Sequence, residues 1–440
     1  MKNKLPKYDN YKPSNVEWLG EIPQHWEVTS VKHLLSIPIT DGPHTTPELL
    51  EEGVPFISAE AIKNGKIDFS KKRGFISKKE HKLFSKKYSP QKGDIYMVKS
   101  GATTGNVAMV NTDDDFSIWS PLAVFRANNK KIHANYLHFI LQSTYFKNGV
   151  ELSWSFGTQQ NIGMGILSNL PIAYGNISEQ EKIAQFLDEK TTKIDQAVGI
   201  KQRQIELLKE RRQILIHRAV TRGVDTNVPL KDSGVEWIGE IPEHWEVKAL
   251  KFSTKIFRGK FTHRPRNDER LYDGIYPFFQ TGDVARADKF LSEYKQTLND
   301  FGLRVSTLFP KGTIVMTIAA NIGDIAILDI DACFPDSIVG FNPMQFLERD
   351  FLYNSLLAMK EQFMSSTIKN TQMNLNVDRI GTNSIAIPPI EEQKAIVSHI
   401  ENISAKISKA IGLKEREIEV LKEYKSSLIN SAVTGKVKIG

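Results

Sequence analysis

Ser14–Val28 reads SNVEWLGEIPQHWEV, and Ser233–Val247 reads SGVEWIGEIPEHWEV. Twelve of the fifteen positions are identical at a constant offset of 219, and Trp18, Trp26, Trp237 and Trp245, four of the chain's six tryptophans, lie in these copies. An echo this long inside one chain marks a duplicated architecture, so the fold is to be read as one unit given twice.

Working outward, Thr158–Ile162 (TQQNI) matches Thr371–Leu375 (TQMNL) at an offset of 213. The same offset carries Ile172-Ala173 onto Ile385-Ala386, Gln180 onto Gln393, and Ala219-Val220-Thr221 onto Ala432-Val433-Thr434. Each half is therefore a constant head, a divergent middle and a constant tail. The tails predict long helices. Ile194, Val198, Lys201, Ile205, Leu208, Arg212 and Leu215 follow alternating four- and three-residue steps, as do Ile407, Ile411, Lys414, Ile418, Leu421, Lys425 and Leu428. Such a seam demands a partner helix, and the other copy, lying antiparallel on an approximate two-fold axis, is the natural one. Ser178 with Glu181 reads as a capping box at the first helix start, and Pro388-Pro389 precedes the second.

The middles, 30–157 and 250–370, read as mixed, strand-rich domains with a faint common skeleton. Lys92-Gly93-x-Ile95-x-Met97 answers Lys311-Gly312-x-Ile314-x-Met316, Gly105-Asn-Val-Ala108 answers Gly323-Asp-Ile-Ala326, and Pro55-Phe56 answers Pro277-Phe278. The fold class is thus α+β. The expected boundaries are 1–174 for the first domain with its head at 14–28, 175–222 for the first helix, 223–387 for the second domain with its head at 233–247, and 388–440 for the second helix.

A chain of 440 residues is too long for one core. It contains no run of about 18 apolar residues to cross a membrane, and its polar start, MKNKLPKYDNYKP, lacks a signal-peptide core. The single cysteine, Cys333, excludes an internal disulfide and a cysteine-based zinc site, so a cytoplasmic location is expected. A net charge of +7 permits a polyanionic partner without requiring one. No stretch fits a P-loop, a dinucleotide fingerprint, a nucleophile elbow or a zinc-protease helix, so the chain is read as non-catalytic.

The polar loops of the middles carry the binding candidates: His44, Thr45, Thr46, Lys99, Ser100, Thr103 and Thr104 in the first, and Arg258, Lys260, His263, Arg264 and Asn321 in the second. Lysine and arginine suit phosphates, and arginine and asparagine suit base edges. Further basic runs stand at Lys71-Lys-Arg73, Lys78-Lys79 and Lys86-Lys87. His44 and His263 have no ligand-spaced neighbours and read as loop residues rather than metal ligands. The Gln159 and Gln372 pair, being constant, reads as a cap or hinge.

A W[LI]GEIPxHW head, a divergent middle, a TQxN[IL] element, an [IL]xEQ helix start and a heptad helix ending in AVT, all given twice, resemble the specificity subunit of type I restriction–modification systems. The resemblance implies that the middles are target recognition domains, each reading one half of a bipartite double-stranded DNA site. It implies that the helices form an intramolecular coiled coil that sets the spacer and docks partners. Two methyltransferase subunits would bring S-adenosylmethionine, and two restriction subunits would bring ATP and magnesium, leaving no cofactor in this chain. The competing reading is a non-enzymatic coiled-coil scaffold with two protein-binding domains.

Overall fold

The computed structural model describes residues 5–153, 161–319, 321–365 and 375–440. The chain divides into two compact units, Met1–Lys201 with Glu415–Gly440, and Gln202–Lys414. Both divisions fall inside the long helices, Ile177–Arg222 and Ile390–Val433. Each unit thus owns the first half of one helix and the last half of the other.

In the first unit the seam closes as the heptads require. Ile194, Ile418 and Leu428 are buried. Lys201 pairs with Glu417 at 2.5 Å and Asp195 with Lys425 at 2.7 Å. Numbers rise along one helix as they fall along the other, so the two segments are antiparallel. The seam bases keep their heads at the edge on acids from the facing helix while their stems cover apolar surface. The start of the first helix differs from the expected capping box. Asn176 caps it instead, its Oδ1 accepting from the Glu179 amide at 2.9 Å. The helix begins at Ile177, which puts Ser178 already within its first turn.

The heads bind the helix ends. In the first unit Tyr11–Pro13 pairs with Glu21–Pro23, and Glu27–Ser30 pairs with Pro171–Tyr174, both antiparallel. In the second, Leu230–Asp232 pairs with Glu240–Pro242, and Glu246–Ala249 with Ser384–Ile387, in the same way. Trp26 and Trp245 are fully buried. His25 lies 2.9 Å from Glu179 at the start of the first helix. His244 lies 2.7 Å from Glu392 at the start of the second, and the Trp245 indole donates to Glu392 at 3.0 Å. At the far helix ends, Gly435 and Gly223 adopt left-handed φ of 68° and 72°. A Cβ on Gly435 would lie 2.3 Å from Pro23, and one on Gly223 would lie 3.1 Å from Trp245. Glycine there both turns the chain and admits the head.

Among the described residues each middle holds two sheets. The first unit has a six-stranded sheet ordered Thr40–Asp41, Leu122–Phe125, Ile95–Val98, Val107–Met109, Gly65–Ile67, Ile62–Lys63. Beside it stands a three-stranded sheet, Ser117–Ile118, Val54–Ile57, Gly74–Ile76. The second unit has Thr254–Arg258, Ile338–Pro343, Ile314–Thr317, Ile325–Leu328, Phe290–Leu291, and a four-stranded sheet, Gln296–Leu298, Tyr272–Phe278, Ala332–Cys333, Leu308–Phe309. The skeleton seen in sequence is the central hairpin. Gly93 and Gly312 take φ of 89° and 88°, and their amides donate to Val110 and Leu328 carbonyls at 2.9 and 2.7 Å. The α+β class with paired long helices is therefore the observed one.

Candidate nucleic-acid interface

Strand register fixes which residues of the two units occupy the same place. Asp41 pairs with Ala123, which pairs with Met97. Arg258 pairs with Val339, which pairs with Met316. Asp41 and Arg258 are thus equivalent, and so are the glycines that follow. A Cβ on Gly42 would lie 2.1 Å from the Ile118 carbonyl oxygen, and one on Gly259 would lie 2.2 Å from that of Pro335. Only glycine lets the chain leave the edge strand there.

In the first unit Asp41 organises a cluster of bases. It is fully buried, and it takes Lys87 at 2.5 Å, His44 at 3.2 Å and Lys99 at 3.3 Å. Burial would push its carboxyl up, but the hydrogen bonds and charges of Lys87 and Lys99 outweigh that and hold it below its ordinary value. Lys99 is itself buried, whereas the side chains of His44 and Lys87 remain in solvent. Beside Lys99 runs the hairpin turn. Gly101 and Gly105 supply φ of 100° and 87°, and the Thr104 hydroxyl donates to the Gly101 carbonyl at 2.6 Å. Ser100 forms an isolated bridge with Asn161. Thr45, Thr46 and Thr103 are exposed. The structure brings His44 and Lys99 onto one carboxylate and gathers Ser100, Thr103 and Thr104 in one turn.

The second unit reverses the charge at the same place. The Arg258 Nε donates to the Asp336 carbonyl at 2.5 Å. The Asp336 carboxylate takes Arg266 and, at 3.6 Å, Arg264. His263 sits 2.9 Å from Asp268, which also takes Arg270 at 2.7 Å. The hydrogen bond from Arg270 holds the Asp268 carboxyl far below the usual carboxylate range. Lys260 is exposed, its carbonyl accepting from the Ser306 hydroxyl at 2.8 Å. Asn321 lies across the unit's hairpin turn, its side chain exposed and its carbonyl accepting from Thr317. The position of Lys99 is taken by Ile318, which is buried.

Asp336, Asp268 and Trp119 stand at these tips without having been singled out in the sequence. Asp336 and Trp119 lie 70 and 46 residues from their partners Arg266 and Arg73, a range that leaves no periodic signal, and Asp268 lies 5 residues from His263 within one loop of no regular pattern. The two histidines, isolated in sequence, both find a carboxylate. Among the described residues no group of three or more His, Cys, Asp or Glu is placed to hold a metal ion. No helix among them is long and apolar enough to cross a membrane. Residues 158–160 and 371–374, with Gln159 and Gln372, lie outside the described residues.

The sequence matches the type I restriction modification DNA specificity domain over residues 23–209 and again over 242–420. Two relatives from Methanocaldococcus jannaschii match nearly end to end. One, assigned provisionally as the type I restriction enzyme MjaX specificity subunit, is 25% identical, with 98% of each chain covered. The type I restriction enzyme MjaVIII specificity subunit is 24% identical, covering 98% of this chain and 97% of its own. A solved chain from a study of complex assembly and conformational transition in a type I R-M system shares the fold, with a TM-score of 0.66 at 16% identity. The match covers 94% of this chain and 98% of that one. With the domain matched twice across most of its length, this chain belongs to the type I restriction–modification DNA specificity family.

Proposed function

We propose that this chain is the DNA-reading subunit of a type I restriction–modification complex, each recognition domain reading one half of a bipartite duplex site. The observation that carries this reading is the equivalence of Asp41 and Arg258. One frame is kept twice down to its hydrogen bonds, and the charge at the end of its edge strand is reversed. Two readers of different sequences need that combination, since phosphate and frame contacts position while tip side chains discriminate. Holding both on one chain makes the second contact intramolecular and raises affinity. The candidate contacts are the exposed His44, Thr45, Thr46, Thr103, Lys260, Arg264 and Asn321, with Ser100 and Thr104 shaping their turn. Lys99 and Arg258 act beside them, each already engaged with its own unit's aspartate.

Docking of methyltransferase subunits is supported by unpartnered apolar side chains on the helices. Ile200, Val420 and Tyr424 are exposed in the first unit, and Leu207, Ile214 and Leu413 in the second. Ile200 with Leu413, and Leu207 with Val420, are equivalent at the 213-residue offset, so two copies of one partner fit two copies of one surface. In this reading the chain is non-catalytic and cytoplasmic. S-adenosylmethionine belongs to the methyltransferase subunits, and ATP with magnesium to the restriction subunits.

The test is to co-express the chain with its methyltransferase partner and sequence the modified adenines genome-wide. A single bipartite motif with unlike halves is expected. Methylation scattered over unrelated sequences would overturn the specificity role.

A further inference from the structure

Resting on that DNA-binding reading, we propose that residues 71–87 of the first unit form a phosphate-gripping track along the duplex beside the base-reading turns. The segment reads KKRGFISKKEHKLFSKK, eight lysines and arginines to one glutamate. It folds as the edge strand Gly74–Ile76 followed by the helix Lys78–Phe84. The one glutamate is spent on the capping box: Glu80 accepts from the Ser77 hydroxyl at 2.9 Å and from the Ser77 amide at 3.3 Å. Lys78, Lys79, Lys82 and Lys86 are all exposed, and no carboxylate of a described residue pairs with them. Like charges crowded on two helical turns repel one another, so the fold itself gains nothing from them.

The second unit shows that this fold position does not require the charge. Leu298 pairs with Tyr276 as Ile76 pairs with Val54. Asn299 then caps the helix Asp300–Arg304, as Ser77 caps its own. Yet residues 293–309, EYKQTLNDFGLRVSTLF, carry Lys295 and Arg304 against Glu293 and Asp300. The excess charge therefore serves something outside the unit, and compact ammonium groups in a row fit the phosphates of a nucleic-acid backbone.

The track adjoins the reading turns. Lys87 reaches Asp41 and also donates to the Gly42 carbonyl at 3.2 Å. His81 Nδ1 lies 2.9 Å from the Ser117 hydroxyl, and the Arg73 guanidinium stacks 4.0 Å over the Trp119 ring. The loop on the other side, DGPHTTPELLEEG at 41–53, carries Asp41, Glu48, Glu51 and Glu52 and no lysine or arginine. Phosphate contact in this unit falls to the 71–87 side.

The test uses the full chain and a fluorescein-labelled mixed-sequence duplex of about 30 bp, titrated by anisotropy between ~50 and ~200 mM potassium chloride. The K78Q/K79Q/K82Q/K86Q variant is expected to flatten the slope of log affinity against log salt by about 3 to 4. Thermal unfolding should match the parent, since these side chains are exposed. The K295Q/R304Q variant should change the slope by less than ~1. A quadruple variant with the parental slope would overturn the track while leaving DNA binding in place. An equal loss in both variants would overturn it as well. A parent chain showing no salt-dependent binding would overturn the track and the DNA-binding reading together.

Discussion

The backbone amide of Ile162 donates to the Lys99 carbonyl across 2.7 Å, and Leu375 repeats the bond to Ile318 at 3.0 Å. The residues that accept diverged from lysine to isoleucine while the bond stayed. Ile162 and Leu375, the last residues of the constant TQxN[IL] elements, therefore clamp the base of the variable hairpin turn in each unit, through a backbone amide that among substitutions only proline removes. Ile162→Pro deletes the donor. It should free the 100–106 turn, seen as faster amide exchange there, and cost the first unit about 3 kcal/mol or more. Exchange at the turn of the second unit should not change.

Gln180 and Gln393 make the second repeated bond set. Gln180 accepts from the His133 amide at 2.8 Å and donates to the Gly175 carbonyl at 2.9 Å. Gln393 accepts from the Glu348 amide at 2.7 Å and donates to Pro388 and Phe346 carbonyls at 2.8 and 2.9 Å. Both are buried. Either one replaced by leucine removes the side-chain partner of two or three backbone groups, one of them fully buried, at roughly 1 to 3 kcal/mol for each group left unpaired. The melting temperature of Q180L or Q393L should fall steeply, whereas glutamines on the solvent face of the same helices, such as Gln202, should tolerate leucine.

A pH dependence follows from His138. Burial, and then the charge of Lys425, push its imidazole down to about 4. The Gln142 side-chain amide lies 2.8 Å from the ring and suits its neutral form. The folded state resists protonation and the unfolded state does not. Stability is therefore unaffected above the unfolded value near 6.5 and declines as pH falls from there toward 4. The loss at the acid end is on the order of 3 kcal/mol. His138→Gln should flatten that limb in denaturant titrations between pH 6.5 and 4. An unchanged limb would show that His138 is not its source.

The frame was legible in sequence because it repeats. The twin heads, the heptads and the Lys-Gly-x-Ile-x-Met hairpins each leave a local pattern that backbone geometry enforces. The tips were legible only as composition. His44 and Lys99 stand 55 residues apart and meet on Asp41. Arg258, Arg264 and Arg266 converge on Asp336, about 70 residues on. Only strand register discloses that Asp41 and Arg258 share one place, because the offset between the halves slips between head and tail. The capping box failed for a related reason. Asn176, Ser178 and Glu181 are all acceptable cap residues, and the cap actually formed depends on where the first strand after the middle, Pro171–Tyr174, delivers the chain.

A test of the helices as spacers falls where the units divide along them. Those boundaries lie at Lys201/Gln202 and Lys414/Glu415, so seven residues inserted at both points leave each unit's own packing intact. The insertion keeps the seam in phase, because a heptad restores the same face. It lengthens each helix by about 10 Å, which on B-form DNA is about 3 bp. If the coil sets the spacing, the methylated motif of the double insertion should keep both half-sites and gain about that many unspecified positions. Insertion of three or four residues at the same points puts the heptads on the two sides of each insertion out of phase. Such variants should lose stability before they change spacing. Motif sequencing of modified genomic DNA distinguishes the outcomes, and an unchanged spacer in a folded double-heptad variant would rule the helices out as the ruler.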